Sequence, residues 1–114
     1  MPEILNIEAT MQRIDHDKER LKELYAIALE ELPKWKIRLN DAISNKDAAA
    51  IKKSSHSYKG SSATLGAEVL FEMFLKMEKL AEKDDLTSIK NIFDIEYEDN
   101  IKNLENAIND FIAN

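Results

Sequence analysis

His56 stands in the run Lys52-Lys53-Ser54-Ser55-His56-Ser57-Tyr58-Lys59-Gly60-Ser61-Ser62, a basic stretch within an acidic chain. Imidazole offers an unprotonated ring nitrogen at neutral pH and is therefore a nucleophile. Lys59, one helical turn further on, can supply positive charge to an anion carried on the ring. Gly60 follows it, although a glycine inside a helix costs about 0.5 to 1 kcal/mol relative to alanine. Four residues beyond His56, it removes a side chain that an approaching partner would otherwise meet. A nucleophile, a cation and cleared space together suit a phosphoryl acceptor.

These residues need a helix to hold them, and the pattern from Asp47 to Leu65 provides one. Ile51, Ser55, Tyr58, Ser62 and Leu65 step by 4, 3, 4 and 3, so they share one face, which is read as the buried one. His56 is rotated by about 100° from Ser55. Its own side holds Lys52, Lys59, Gly60 and Ala63, at the edge of the core with access to solvent. Ser44-Asn45-Lys46-Asp47 reads as the preceding turn and cap, and Gly66 as the C-terminal stop.

Other helices must surround this one. Ile4, Ile7, Met11 and Ile14 predict a short helix over Ile4 to Ile14 that lids the core, and Asp15-His16-Asp17 offers N-cap carboxylates for the next. From there Leu21, Leu24, Tyr25, Ala28, Leu32, Trp35, Leu39 and Ile43 form a stripe. Pro33 interrupts it and is expected to kink or divide that helix near Leu32. Ala67, Leu70, Phe74, Met77 and Ala81, widened by Met73 and Leu80, predict a further helix, closed by Lys83-Asp84-Asp85. Ile89, Phe93, Tyr97, Ile101, Leu104, Ile108 and Phe111 predict a last one of about 25 residues, near 37 Å at the α-helical rise. Four long helices with short connections imply an all-α, antiparallel four-helix bundle under a short N-terminal lid.

Composition agrees and excludes alternatives. The 114 residues suit one domain, 1–114, and 44% hydrophobic content can fill a single core. Two glycines and two prolines leave few turn signals. A net charge of −6 argues against nucleic-acid binding, and without cysteine there is no disulfide framework or thiolate zinc site. No apolar run approaches a membrane span, and Met1-Pro2-Glu3-Ile4 lacks the basic start of a secretory signal, so a cytoplasmic protein with no membrane association is expected. Residues 45–66 carry four lysines against one aspartate, a net +3, so the remainder carries −9. A partner docking on this region should be acidic.

The run His56-Ser57-Tyr58-Lys59-Gly60-Ser61-Ser62, continuing Ala63-Thr64-Leu65-Gly66-Ala67 and then Leu70 and Met77-Glu78, closely resembles the histidine-containing phosphotransfer (HPt) domains of bacterial multistep phosphorelays. The resemblance implies that His56 accepts a phosphoryl group on its outer ring nitrogen from the aspartyl phosphate of a receiver domain and passes it to another response regulator. A hybrid sensor kinase would stand upstream. Lys59 would offset the phosphate charge and Gly60 would admit the receiver. Glu78 would either orient the ring or be a surface charge. Any Mg²⁺ would belong to the receiver, leaving this chain without a cofactor, a metal site or kinase activity of its own. Ser55 and Tyr58 replace the alanine and leucine frequent in the family, at positions that face the core.

Competing readings are weaker. The alternative to a phosphoryl carrier is a helical adaptor that only binds signalling partners, acting as a monomer in either case. The serines around His56 lack the Gly-x-Ser-x-Gly elbow and a placed acid, and no glycine-rich nucleotide loop is present. His16 has no second histidine or cysteine near it with which to bind a metal. Lys52 and Lys53 either steer docking or solvate an exposed face, and Ala63, further along the His56 side, is a further candidate docking contact. Met73, Met77, Phe71 and Phe74 are read mainly as core, with any exposed member a candidate docking contact.

Overall fold

Four side chains start the helices by the same device. Asn6, Asp17, Asp47 and Asp85 each accept the backbone N–H three residues on, from Ala9, Arg20, Ala50 and Ser88. This satisfies donors that the first turn of a helix leaves free. The computed structural model describes every residue, Met1–Asn114, and contains no strand. The helices are α1 (Ile7–Arg13), α2 (Lys18–Ser44), α3 (Ala48–Leu65), α4 (Glu68–Glu82), α5 (Leu86–Ile92) and α6 (Glu98–Ala113), with a π-helical segment, Phe93–Tyr97, between the last two.

Pairwise contacts give the directions of the long helices. Trp35 stacks on Tyr58 with ring centroids 4.5 Å apart, while Tyr25 Oη donates to the Leu65 carbonyl. Lys52 meets Glu82 and Lys59 meets Glu78. Phe74 packs on Tyr97 and the Asn100 amide donates to the Met73 sulfur. Lys36 pairs with Glu98 and Tyr25 packs edge-on to Phe111. In every pair the numbers fall along one helix as they rise along the other, so α2 with α3, α3 with α4, α4 with the last helix, and α2 with α6 all run antiparallel. One continuous core joins them, with Leu21, Leu39, Ile51, Phe74 and Leu104 fully buried.

Three local expectations are modified. The first helix begins at Ile7 rather than Ile4, because Asn6 caps it and Ile4 is exposed. Pro33 neither ends nor divides α2, which runs unbroken for 27 residues. The proline ring lies on the exposed side, and buried Leu32 and Trp35 hold the chain on either side of the one lost hydrogen bond. The last helix is long, as expected, but not uniformly α. At about 100° per residue, Ile89, Ile92 and Phe93 centre on one direction, whereas Tyr97, Ile101, Leu104 and Ile108 centre roughly 90° further round. A π turn takes up one extra residue, close to that rotation, and keeps both groups facing inward.

The start of the chain ties down the end of α3. The Asn6 N–H donates to the Gly66 carbonyl (2.7 Å), Thr10 Oγ1 to that of Leu65, and Arg13 Nη2 to those of Ala63 and Thr64. These are carbonyls that a helix terminus leaves without intrahelical partners. Gly66 closes the helix at φ 77°, and a Cβ there would lie 2.6 Å from both Asn6 O and Thr10 Oγ1. Gly66→Ala is therefore expected to cost at least the 1 to 2 kcal/mol of a left-handed alanine, roughly, with the collision in addition. Urea unfolding at neutral pH measures it, and a loss below about 0.5 kcal/mol would contradict the close approach.

Candidate functional site

Local structure on α3 sorts its side chains onto two faces. Ile51, Ser55, Tyr58, Ser62 and Leu65 are all buried, as their spacing requires. Tyr58 fills its place by stacking on Trp35 and meeting Phe74 edge-on. The Ser55 hydroxyl is buried without a partner. With that face fixed, His56 stands at the edge of the core with its side chain 70% exposed.

Glu78 approaches from α4. It follows Met77 on the core side and is only 8% exposed, so it is not a surface charge. A carboxylate withdrawn from water requires charge-assisted partners. It has two, both from α3: Lys59 Nζ donates to Oε1 at 2.7 Å, and His56 Nδ1 lies 2.6 Å from Oε2. The Lys59 hydrogen bond holds the Glu78 carboxyl below its ordinary value of 4.5, with His56 assisting and burial opposing. Because an ionised carboxylate only accepts, the proton of the neutral ring resides on Nδ1, and the lone pair is on Nε2. The ring thereby acquires a defined tautomer, a defined orientation and an exposed nucleophilic atom.

Gly60 is exposed, and a Cβ added there would meet nothing within 4 Å. Packing within the chain thus gives no reason for a glycine, unlike at Gly66. Lys52 and Lys53 are exposed one turn before His56, and with Ala49, His56 and Glu78 they line a shallow hollow. Ala63 is exposed two turns after the histidine, with its carbonyl taken by Arg13. Met73, Phe74 and Met77 are buried, leaving only Phe71 partly open. His16 is in a left-handed turn, and no group of acids, histidines or cysteines is arranged to hold a metal ion. Sequence reasoning passed over Asn6, Thr10 and Arg13, which secure the end of the histidine helix. Nothing in their pattern singled them out, because Glu8 and Gln12 are polar residues of the same short helix.

The lowered Glu78 value gives a pH dependence of known sign. Folded protein binds the Glu78 proton less readily than unfolded protein, so the stabilisation is complete above about pH 4.5 and is lost as pH falls through the folded value. Glu68 and Asp85 are lowered similarly, so the comparison must be differential. Glu78→Gln should be less stable than wild type at neutral pH, and the gap should narrow on acidification. Parallel stability curves from neutral to about pH 3 would show that Glu78 is not the source.

The family model for the Hpt domain matches residues 23–110. That range includes all of α3 and α4, and with them His56, Lys59, Gly60 and Glu78. Neither the curated proteins nor the solved structures give a match. Covering well over half of the chain, the family match shows that this protein belongs to the Hpt domains, the histidine phosphotransfer modules of phosphorelay signalling.

Proposed function

We propose that residues 1–114 form one HPt domain, an antiparallel four-helix bundle lidded by α1, that relays a phosphoryl group through His56. The observation that carries this reading is the bond from His56 Nδ1 to Glu78, which leaves Nε2 unprotonated and facing solvent. In the forward step the Nε2 lone pair attacks the phosphorus of a receiver's aspartyl phosphate. The Nε2–P bond forms, the P–O bond to the aspartate breaks, and the aspartate leaves as a carboxylate. The Nδ1 proton stays in place, so the product ring is an imidazolium paired with Glu78. Return of the phosphoryl group to a second receiver reverses each change.

Lys59 acts in this scheme by neutralising Glu78, so that the carboxylate orients the ring without repelling the incoming group. Gly60 keeps the surface beside the ring low enough for a receiver to seat. Lys52, Lys53 and Ala63 belong to the docking surface, matched to an acidic partner. The receiver contributes the Mg²⁺ and most of the transition-state stabilisation. The chain is then a monomeric carrier, supplied from a hybrid sensor kinase and working in the cytoplasm, with no kinase activity or cofactor of its own. No helix is long and apolar enough to cross a membrane.

The deciding experiment mixes the chain with a phosphorylated receiver and looks for acid-labile, base-stable label. His56→Gln should abolish it, while label that survives the substitution, or receiver binding without any label on wild type, would favour the adaptor. Gly60→Leu tests the steric role separately. It should fold normally and still accept phosphate from a small donor such as phosphoramidate, yet take it from a receiver at least about tenfold more slowly, as expected when a reacting geometry is displaced. Undiminished transfer from the receiver would rule out the clearance role.

A further inference from the structure

The cation one turn after His56 is not free to meet a group on Nε2. Lys59 is bonded to Glu78 on the Nδ1 side of the ring, and its side chain is only 21% exposed. Nε2 lies across the ring from that pair. Helical side chains lean toward the N-terminus, so the His56 imidazole stands over the preceding turn rather than over Gly60. That turn holds Lys52 and Lys53, with Ala49 one turn further back, and these three line the hollow with His56 and Glu78. Ala49 keeps its floor low. Lys52 is loosely engaged, 3.8 Å from Glu82, and Lys53 is exposed and makes no ion pair.

Charge balance points to the same place. A phosphoryl group brings close to two negative charges at neutral pH. The Glu78 charge is already met by Lys59. The cations that remain within reach of Nε2 are those of the turn before it.

We propose that Lys53, joined by Lys52 when it leaves Glu82, holds the phosphoryl oxygens of phosphorylated His56 in the hollow beside Ala49. This rests on His56 being the acceptor and assigns the phosphate contact to a different turn from Lys59. Charge on the phosphoryl oxygens drives expulsion of the imidazole in a loose, dissociative transition state. Ammonium groups that hold that charge oppose the expulsion and lengthen the life of the phosphohistidine.

The test uses the intact chain and phosphoramidate, without a receiver. Nε2 attacks phosphorus, the P–N bond of phosphoramidate breaks, and ammonia leaves with a proton from water. Phosphorus NMR then follows formation and decay of the phosphohistidine. Absence of the signal on wild type, or its persistence in His56→Gln, overturns the acceptor reading itself. Given a signal confined to His56, Lys53→Gln should shorten its half-life by about threefold to tenfold at low salt, with the double variant Lys52→Gln/Lys53→Gln shorter still and Lys53→Arg near wild type. Added salt should shorten the wild-type half-life and leave that of the double variant nearly unchanged. Thermal unfolding of all three should match wild type, since both lysines are exposed. A half-life unaltered in the double variant, or a fall confined to Lys59→Gln, overturns the assignment.

Discussion

A carboxylate cannot leave water alone, and the site is organised around that constraint. Glu78 occupies a position on α4 that its neighbours Phe74 and Met77 place beside the core, and its charge has to be met there. Both hydrogen bonds that meet it come from α3, one from Lys59 and one from His56. His56 and Lys59, one turn apart on α3, and Glu78, 22 and 19 residues further along the chain on α4, therefore set the register of α3 against α4. The same bonds decide which nitrogen of the ring bears the proton. Structural pairing and chemical readiness are thus a single arrangement, and loss of one partner leaves a covered charge incompletely compensated.

The surrounding scaffold restrains α3 on its other sides. Beneath the histidine, Tyr58 is stacked on Trp35 and flanked by Phe74, which in turn packs on Tyr97. Aromatic contacts of this kind each add about 0.5 to 1.5 kcal/mol beyond their buried area. At its far end, the carbonyls of α3 are taken up by Asn6, Thr10 and Arg13. The nucleophile consequently sits in the middle of a helix fixed along one face and at its terminus, with only its working edge in solvent. A reacting group held this way needs little reorganisation when a partner arrives.

Periodicity made α3 legible: five positions at spacings of 4, 3, 4 and 3 are the five that are buried, and from them the exposure of His56 follows. Glu78 was ambiguous for a physical reason. Charge and burial oppose one another in a sequence pattern, and only the two donors on another helix resolve them. Pro33 does not divide α2 because the rule for a helix interior weighs one lost hydrogen bond and not the buried Leu32 and Trp35 on either side. The tie between α1 and the end of α3 was invisible, since its acceptors are backbone carbonyls 50 to 60 residues away in the chain and it depends on Gly66 lacking a side chain. Gly60 was read as clearance and Gly66 as a helix stop, and Gly60 faces open space while Gly66 is enclosed by its own chain.

The π turn at Phe93–Tyr97 has a bearing on how relatives of this chain line up. It accommodates one residue more than a regular helix between the same two ends, and Ile95 within it faces solvent. Removing that surplus residue would leave Ile89 and Ile92 in phase with Leu104 and Ile108, now along an uninterrupted α-helix. A homologue one residue shorter here can keep the same fold on both sides of the gap, with every later position offset by one. Chain length in this helix is therefore free to drift where its inward pattern is not.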